Sequence, residues 1–378
     1  MKLFLKLFIL SILLTNCKPK NSNSIQQEQN KQSLQIKYAK GFDIQYFKNY
    51  KKLIIKSPYQ NSKEQFEFIL SDSNNNELQT VSGTKINTPI QKVVVTSTTH
   101  IPMLELLGVE NTLIGFPHTK YVSSPKTRKL IDANLVKEVG VKSSLNTEVL
   151  LDLNPDVIIG FSMTNSNKSL NIIEKSGVPV VLNGDWLEET PLGRAEWIKF
   201  FGVLYNKEKE ADSIFNAIEN NYNKAKDIAS KATYSPTILS GAIMSKDIWN
   251  LPAGKSFVAQ FLTDANTKYL WKDSEGKGSL SISFESILDT GKAADIWIAP
   301  GYFSSKKQML SKNSNYKDFN AFKNNQLYTF ANKVGKTGGV IYFELGPTRP
   351  DLVLKDIIKI THPELLKEYT LTFFEKMN

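Results

Sequence analysis

A chain of 378 residues, 41% of them apolar and 22% charged, is long enough to bury more than one core and too ordinary in composition to be disordered or collagen-like. Its formal charge of +10 is spread as lysines among aspartates and glutamates, not gathered into a block, which argues against a nucleic-acid partner. The one cysteine, Cys17, excludes an internal disulfide.

Lys2 and Lys6 lead into an apolar run from Leu7 to Leu14, the charged-then-apolar order of an export signal, and the run is too short to span a bilayer. Cys17 stands just beyond it. This predicts removal of residues 1–16 and lipid attachment at Cys17, although Asn16 holds the place where lipoprotein signals usually carry a small residue. Residues 17–33 then form a lipid-anchored tether. From Lys18 onward it is almost all Lys, Asn, Ser and Gln, with too little apolar surface to offset the entropy of ordering.

From Leu34 to about Gln91, short alternating runs such as Leu53–Ile55 and Phe66–Leu70 predict antiparallel strands, an extension of a first lobe. The texture then changes. Val93–Val95, Leu113–Phe116, Val157–Gly160 and Val178–Leu182 are continuous apolar runs separated by helix-like stretches, as in a parallel sheet buried on both faces. Pro191 opens a helical stretch, and Asn206 is the expected cap of a long helix over 207–231, with Ala211, Ile214, Phe215, Ile218, Tyr222 and Ala225 on one face. Parallel-sheet texture returns at Thr237–Leu239, Ala294–Ile298, Gln326–Phe330 and, after Gly338-Gly339, Val340–Phe343. The expected organisation is a first α/β lobe over 34–190, connecting helices over 191–231 and a second α/β lobe over 232–378.

In open parallel sheets, ligands sit beyond the carboxyl ends of the strands. That rule selects Ser97, Thr98, Thr99 and His100, then Pro117 and His118, Ser162 and Met163, and Asp185 and Trp186 in the first lobe. In the second it selects Met244, Trp249, Tyr302, Phe303, Tyr342 and Glu344. Trp186 and Trp249 stand out because their sequence neighbours are polar. A bare metal ion is a competing ligand, but the chain has only His100, His118 and His362 to supply imidazole, with Asp185 as a companion carboxylate. Haem could be met by His100, His118, Tyr302 or Tyr342. No phosphate-binding Gly-rich loop, nucleophile elbow or HExxH pair is present, so an enzyme is the weaker reading; Ser97 near His100 is its only foothold.

Several segments, in order, resemble the periplasmic substrate-binding proteins of ABC importers for iron-siderophore and cobalamin: Lys92–His100 running into Leu104–Gly108, Leu145–Ile158, the long helix, Phe343–Asp351 and His362–Leu366. The resemblance implies two Rossmann-like lobes with parallel sheets joined by one long α-helix, and a ligand cleft between them. It also implies a monomer with no intrinsic cofactor, which carries a ferric siderophore, cobalamin or related chelate to a permease dimer and its ATPase from the outer face of a membrane. By the same resemblance, Glu148 and Glu285 are the acidic residues, one per lobe, that meet permease arginines.

Overall fold

The computed structural model describes residues 33–72, 81–141, 144–164 and 167–378. The expected export signal, Cys17 and all but the last residue of the tether lie outside the described residues.

Strands β1 (Phe42–Tyr46), β2 (Lys51–Ile55) and β3 (Phe66–Ser71) form an antiparallel meander. β4 (Thr84–Asn87) joins it parallel to β3, so the extension is a mixed sheet and not the wholly antiparallel one expected. Phe42, Ile44, Leu53, Ile55, Phe68, Leu70 and Ile86 place their side chains in the first of the molecule's main apolar cores.

The first lobe follows: β5 (Val93–Val95), α1 (His100–Leu106), β6 (Leu113–Phe116), α2 (Pro125–Asp132), β7 (Lys137–Glu138), the ribbon β8 (Gly140–Val141) and β9 (Ser144–Leu145), α3 (Thr147–Leu153), β10 (Val157–Gly160), α4 (Lys168–Lys175) and β11 (Val180–Leu182). Its sheet has the order β11-β10-β5-β6-β7 and every pair is parallel. Helices α5 (Pro191–Glu196), α6 (Ile198–Leu204) and α7 (Glu208–Ala229) lead onward.

The second lobe holds β12 (Thr237–Ser240), β13 (Ala242–Ser245), β14 (Ile248–Pro252), α8 (Phe257–Asp264), β15 (Lys268–Tyr269), β16 (Ser279–Ser283), α9 (Phe284–Gly291), β17 (Ile296–Ile298), α10 (Lys306–Lys312), α11 (Asn320–Lys323), β18 (Leu327–Thr329), α12 (Ile341–Leu345), α13 (Pro350–Thr361) and β19 (Glu375–Lys376). Its main sheet, β15-β12-β17-β18-β19, is parallel except for β19, and β13-β14-β16 form a small antiparallel sheet beside it.

The two lobes repeat a local device. Asp156, one residue before β10, accepts backbone N–H groups from Gln91 (2.6 Å) and Lys92 (2.9 Å) at the start of β5. Asp295, one residue before β17, likewise takes the backbone N–H (2.8 Å) and hydroxyl (2.7 Å) of Thr237 at the start of β12.

Helix α7 has 22 residues, a reach of about 33 Å, and the expected buried face. Ala211, Phe215 and Ile218 lie in the first core and Tyr222, Ala225 and Ala229 in the second, so a single helix joins the two apolar bodies. Its cap is Lys207. Asn206 instead adopts φ of 53°, a left-handed turn that Asn tolerates, and so makes the α6–α7 corner rather than the cap. Val340–Phe343 is a second departure: Ile341–Leu345 is helical, because an apolar run this short reads equally well as a strand or as a buried helical turn.

The N-terminal segment is tied down by carboxylates. Glu196, fully buried, accepts the backbone N–H groups of Lys37 (2.9 Å), Tyr38 (2.6 Å) and Ala39 (2.9 Å) and pairs with buried Lys199 at 3.1 Å. Glu188 accepts those of Lys40 and Gly41, both at 2.9 Å, and the Trp197 indole N–H at 3.0 Å. Glu196→Ala strands the backbone donors of Lys37, Tyr38 and Ala39 and leaves Lys199 with Asp212 and the Gln35 carbonyl alone, and is expected to cost about 3–5 kcal/mol in urea unfolding and to expose residues 34–41 to protease. A loss below about 1 kcal/mol would contradict this tie.

Candidate functional site

A cavity of about 610 Å³ opens between the lobes. Ser97, Thr98 and Thr99, the loop leaving β5, line one wall with Phe161 and Trp186. Met244, Tyr342, Phe343 and Phe330 line the other, where Gly241 brings backbone close: a Cβ there would sit 1.9 Å from the Asn250 carbonyl oxygen. Pro191 and Arg194 of α5, with Phe257 and Phe261 of α8, complete the lining. The surface is mainly aromatic and aliphatic, with hydroxyls at the β5 loop.

Arg194 is the residue that sequence reasoning missed. Its guanidinium is largely buried, lies 4.5 Å over the Phe257 ring, and stands 3.9 Å from Asp185, too far for a hydrogen bond. Its Nε is buried without an acceptor. Such a cation carries a large desolvation cost that an incoming anionic or carbonyl oxygen would offset. A signal existed: the chain has three arginines among 47 basic residues, and Arg128 and Arg349 pair closely with Asp132 and Asp351.

The other expected contacts divide. Ser97, Thr98, Thr99, Trp186, Met244 and Tyr342 lie on the cavity wall. Burial pushes the Tyr342 phenol up to about 12, so it is a neutral hydroxyl. Tyr302 is exposed, its ring 5.5 Å from Phe343 at the aromatic edge. Trp249 is a correction. β14 alternates, turning Trp249 and Leu251 inward, and Trp249 stacks on Trp297 at 5.1 Å while its N–H donates to the Ser240 carbonyl, all within the core. Asn250 on the opposite strand face, with Lys246 and Asp247 in the turn before the strand, gave the misleading signal. Phe303 packs against the same core beside Tyr316.

His100 is fully buried at the start of α1, against Phe201 at 5.6 Å, and His118 lines a separate cavity with Pro117, Ser162 and Met163. Asp185 is also sealed beneath the surface. Among the described residues, no group of three or more His, Cys, Asp or Glu converges as metal ligands.

Glu344 is a further correction: its buried carboxylate accepts the backbone N–H groups of Ser123 (2.6 Å) and Ser124 (2.8 Å) in the other lobe. Ser123 in turn donates to the Gly339 carbonyl, Thr337 to that of Lys120, and Lys336 pairs with Asp132 at 2.9 Å. The segment 335–344 is thus a clasp across the lobes, beside Tyr342 and Phe343. Glu148 and Glu285 occupy the same position, second in the first turn of α3 and α9, behind the capping side chains of Asn146 and Ser283. Both are exposed, and neither forms an ion pair among the described residues.

A family model described as periplasmic binding protein matches residues 93–334. An uncharacterized lipoprotein of Methanocaldococcus jannaschii is 27% identical over 367 residues, covering 91% of this chain and 85% of its own. Among solved structures, a periplasmic heme-binding protein of Pseudomonas aeruginosa aligns over 76% of this chain and 98% of its own, with a TM-score of 0.58 and 18% identity. A possible iron-binding periplasmic solute-binding protein of Staphylococcus epidermidis aligns over 72% and 99%, with a TM-score of 0.56 and 22% identity.

Burial lowers His100 from its ordinary 6.5 to about 4, partly countered by Asp185. The unfolded chain takes up this proton first, so the stability tied to His100 is present above about pH 6.5 and lost as pH falls toward about 4. His100→Leu, which also removes two ring nitrogens without partners, is expected to flatten that part of a melting-temperature profile and to leave ligand capture at neutral pH unchanged. An unaltered acid profile, or lost capture, would contradict the placement.

Proposed function

The chain belongs to the periplasmic binding protein family, and we propose that it captures a metal chelate, a ferric siderophore or a corrinoid such as cobalamin, and delivers it to an ABC permease dimer and its ATPase. The family is one of binding proteins, not of enzymes. The observation that carries the chelate reading is the interlobe cavity itself: an aromatic and aliphatic lining with hydroxyls at one wall and, within it, the Arg194 guanidinium, whose Nε has no acceptor and whose carboxylate partner, Asp185, stands at 3.9 Å. Such a surface suits the organic shell of a chelate with a carboxylate or carbonyl oxygen for Arg194, and among the described residues it brings together no set of ligands for a naked ion. Haem is the second reading, favoured by the aromatic walls around Trp186, Phe330 and Tyr342 and by the solved heme-binding relatives.

The proposal includes export on residues 1–16, acylation at Cys17, a tether over 17–33, and the division into lobes over 34–190 and 232–378 with connecting helices over 191–231. A relative named as a lipoprotein supports the anchor. Glu148 and Glu285 serve as the permease contacts, supported by their matching places in the two lobes. α7 at one place and the 335–344 clasp at another both tie the lobes, so ligand exchange proceeds by small rocking motions.

In a thermal-shift series with cobalamin, haem, ferric siderophores and divalent metals, a chelate at a hundred times its dissociation constant is expected to add about 2.7 kcal/mol. A response to zinc or manganese alone would overturn the chelate reading. Glu148→Arg with Glu285→Arg is expected to abolish uptake in cells while leaving chelate affinity intact; normal uptake in the double variant would remove the docking role.

A further inference from the structure

The connection between β2 and β3 runs from the N-terminal sheet to the rim of the interlobe cavity. There Ser57, Tyr59, Gln60, Asn61 and Ser62 line a second cavity of about 510 Å³. Part of its wall is Trp186, Phe257, Lys277 and Gly278, and these same four residues line the interlobe cavity. One layer of side chains therefore faces the ligand cleft and this chamber together.

That partition is light. Gly278 contributes no side chain, and a Cβ there would meet nothing within 4 Å. Lys277 is held by an ion pair to Glu189, which Lys40 also approaches at 3.7 Å, and both lysines are mostly exposed, so the arrangement costs little to rearrange. The Trp186 indole N–H in the same layer is buried and has no acceptor. A buried donor without a partner is expensive, and a ligand carbonyl would satisfy it.

The two spaces differ in chemistry. The interlobe cavity is mainly apolar, whereas the chamber presents hydroxyls, side-chain amides, the Lys40 and Lys277 ammonium groups and the carboxylates of Glu188 and Glu189. We propose that the N-terminal extension extends the ligand site, so that the chelate body lies between the lobes and an amide- or hydroxyl-bearing arm of the same ligand lies in this chamber, accepting from Trp186. This rests on the carrier reading above. The residues from the extension, at 40–62, lie outside the span of 93–334 matched by the family model.

The test uses the full chain in detergent, titrated by calorimetry with two matched pairs: cobalamin against cobinamide, which lacks the nucleotide arm, and ferrichrome against tris(acetohydroxamato)iron(III), which lacks the peptide ring. In one pair the armed member is expected to bind about tenfold tighter, the yield of two or three hydrogen bonds. Gln60→Trp and Ser62→Phe, which fill the chamber from the extension side, are expected to erase that difference while leaving affinity for the unarmed core within about twofold. Equal affinities within both pairs, a difference that survives both variants, or binding of haem alone would overturn the chamber. Binding of none of these, haem included, would overturn the carrier reading with it.

Discussion

The structure depends on one short stretch, residues 188–199, where the chain passes from the first lobe toward the second. Two carboxylates there, Glu188 and Glu196, are removed from water and satisfied almost wholly by backbone N–H groups of residues 37–41. Burial and the nearby Glu196 push the Glu188 carboxyl up, while the donors from Lys40, Gly41 and Trp197 hold it back. A carboxylate in this setting specifies position, because no other arrangement of the neighbouring chain supplies as many donors. The extension is thereby fixed against the interlobe helices, and the helix between the two clamps carries Arg194 into the cavity.

Arg194 sits on the cavity wall from the same helix that helps to fix the N-terminal segment. Residues on either side of it are committed to holding the N-terminal segment, yet its guanidinium has only an aromatic face and a distant carboxylate for company. A buried group left short of partners is where a ligand would gain most, since the protein has already met the cost of desolvation. In the proposed carrier role, the surrounding aromatic surface would supply area without directional demand, and the guanidinium would supply orientation.

The two lobes are variations on one plan. Asp156 and Asp295 clamp the first residues of equivalent strands, and Glu148 and Glu285 occupy matching first-turn positions of the helices before them. The tie through α7 is covalent and long, and the tie through Glu344 is a hydrogen-bonded clasp whose buried carboxyl is pushed up by desolvation. The exposed Lys277–Glu189 ion pair adds a weaker tie between the same lobes.

Much of this was legible in the amino-acid order. Runs such as Val93–Val95 and Val157–Gly160 announce doubly covered parallel strands because burial on both faces leaves no place for polar residues, and the periodicity of 211–225 announces α7 because one face meets both cores. The strand-end rule pointed to Ser97–Thr99 and Trp186, which line the cavity, since local chain direction decides which residues leave a strand toward the cleft; Tyr342 lines it from a helix where a strand was expected. Tertiary structure decided the rest. Trp249 and His100 are sealed by segments far away in sequence, Glu344 meets its donors 220 and 221 residues distant, and Arg194, one of three arginines, is set apart by which acceptors fail to reach it. Periodicity records whether a side chain avoids water; which partner it finds depends on contacts between distant segments, and no local pattern encodes them.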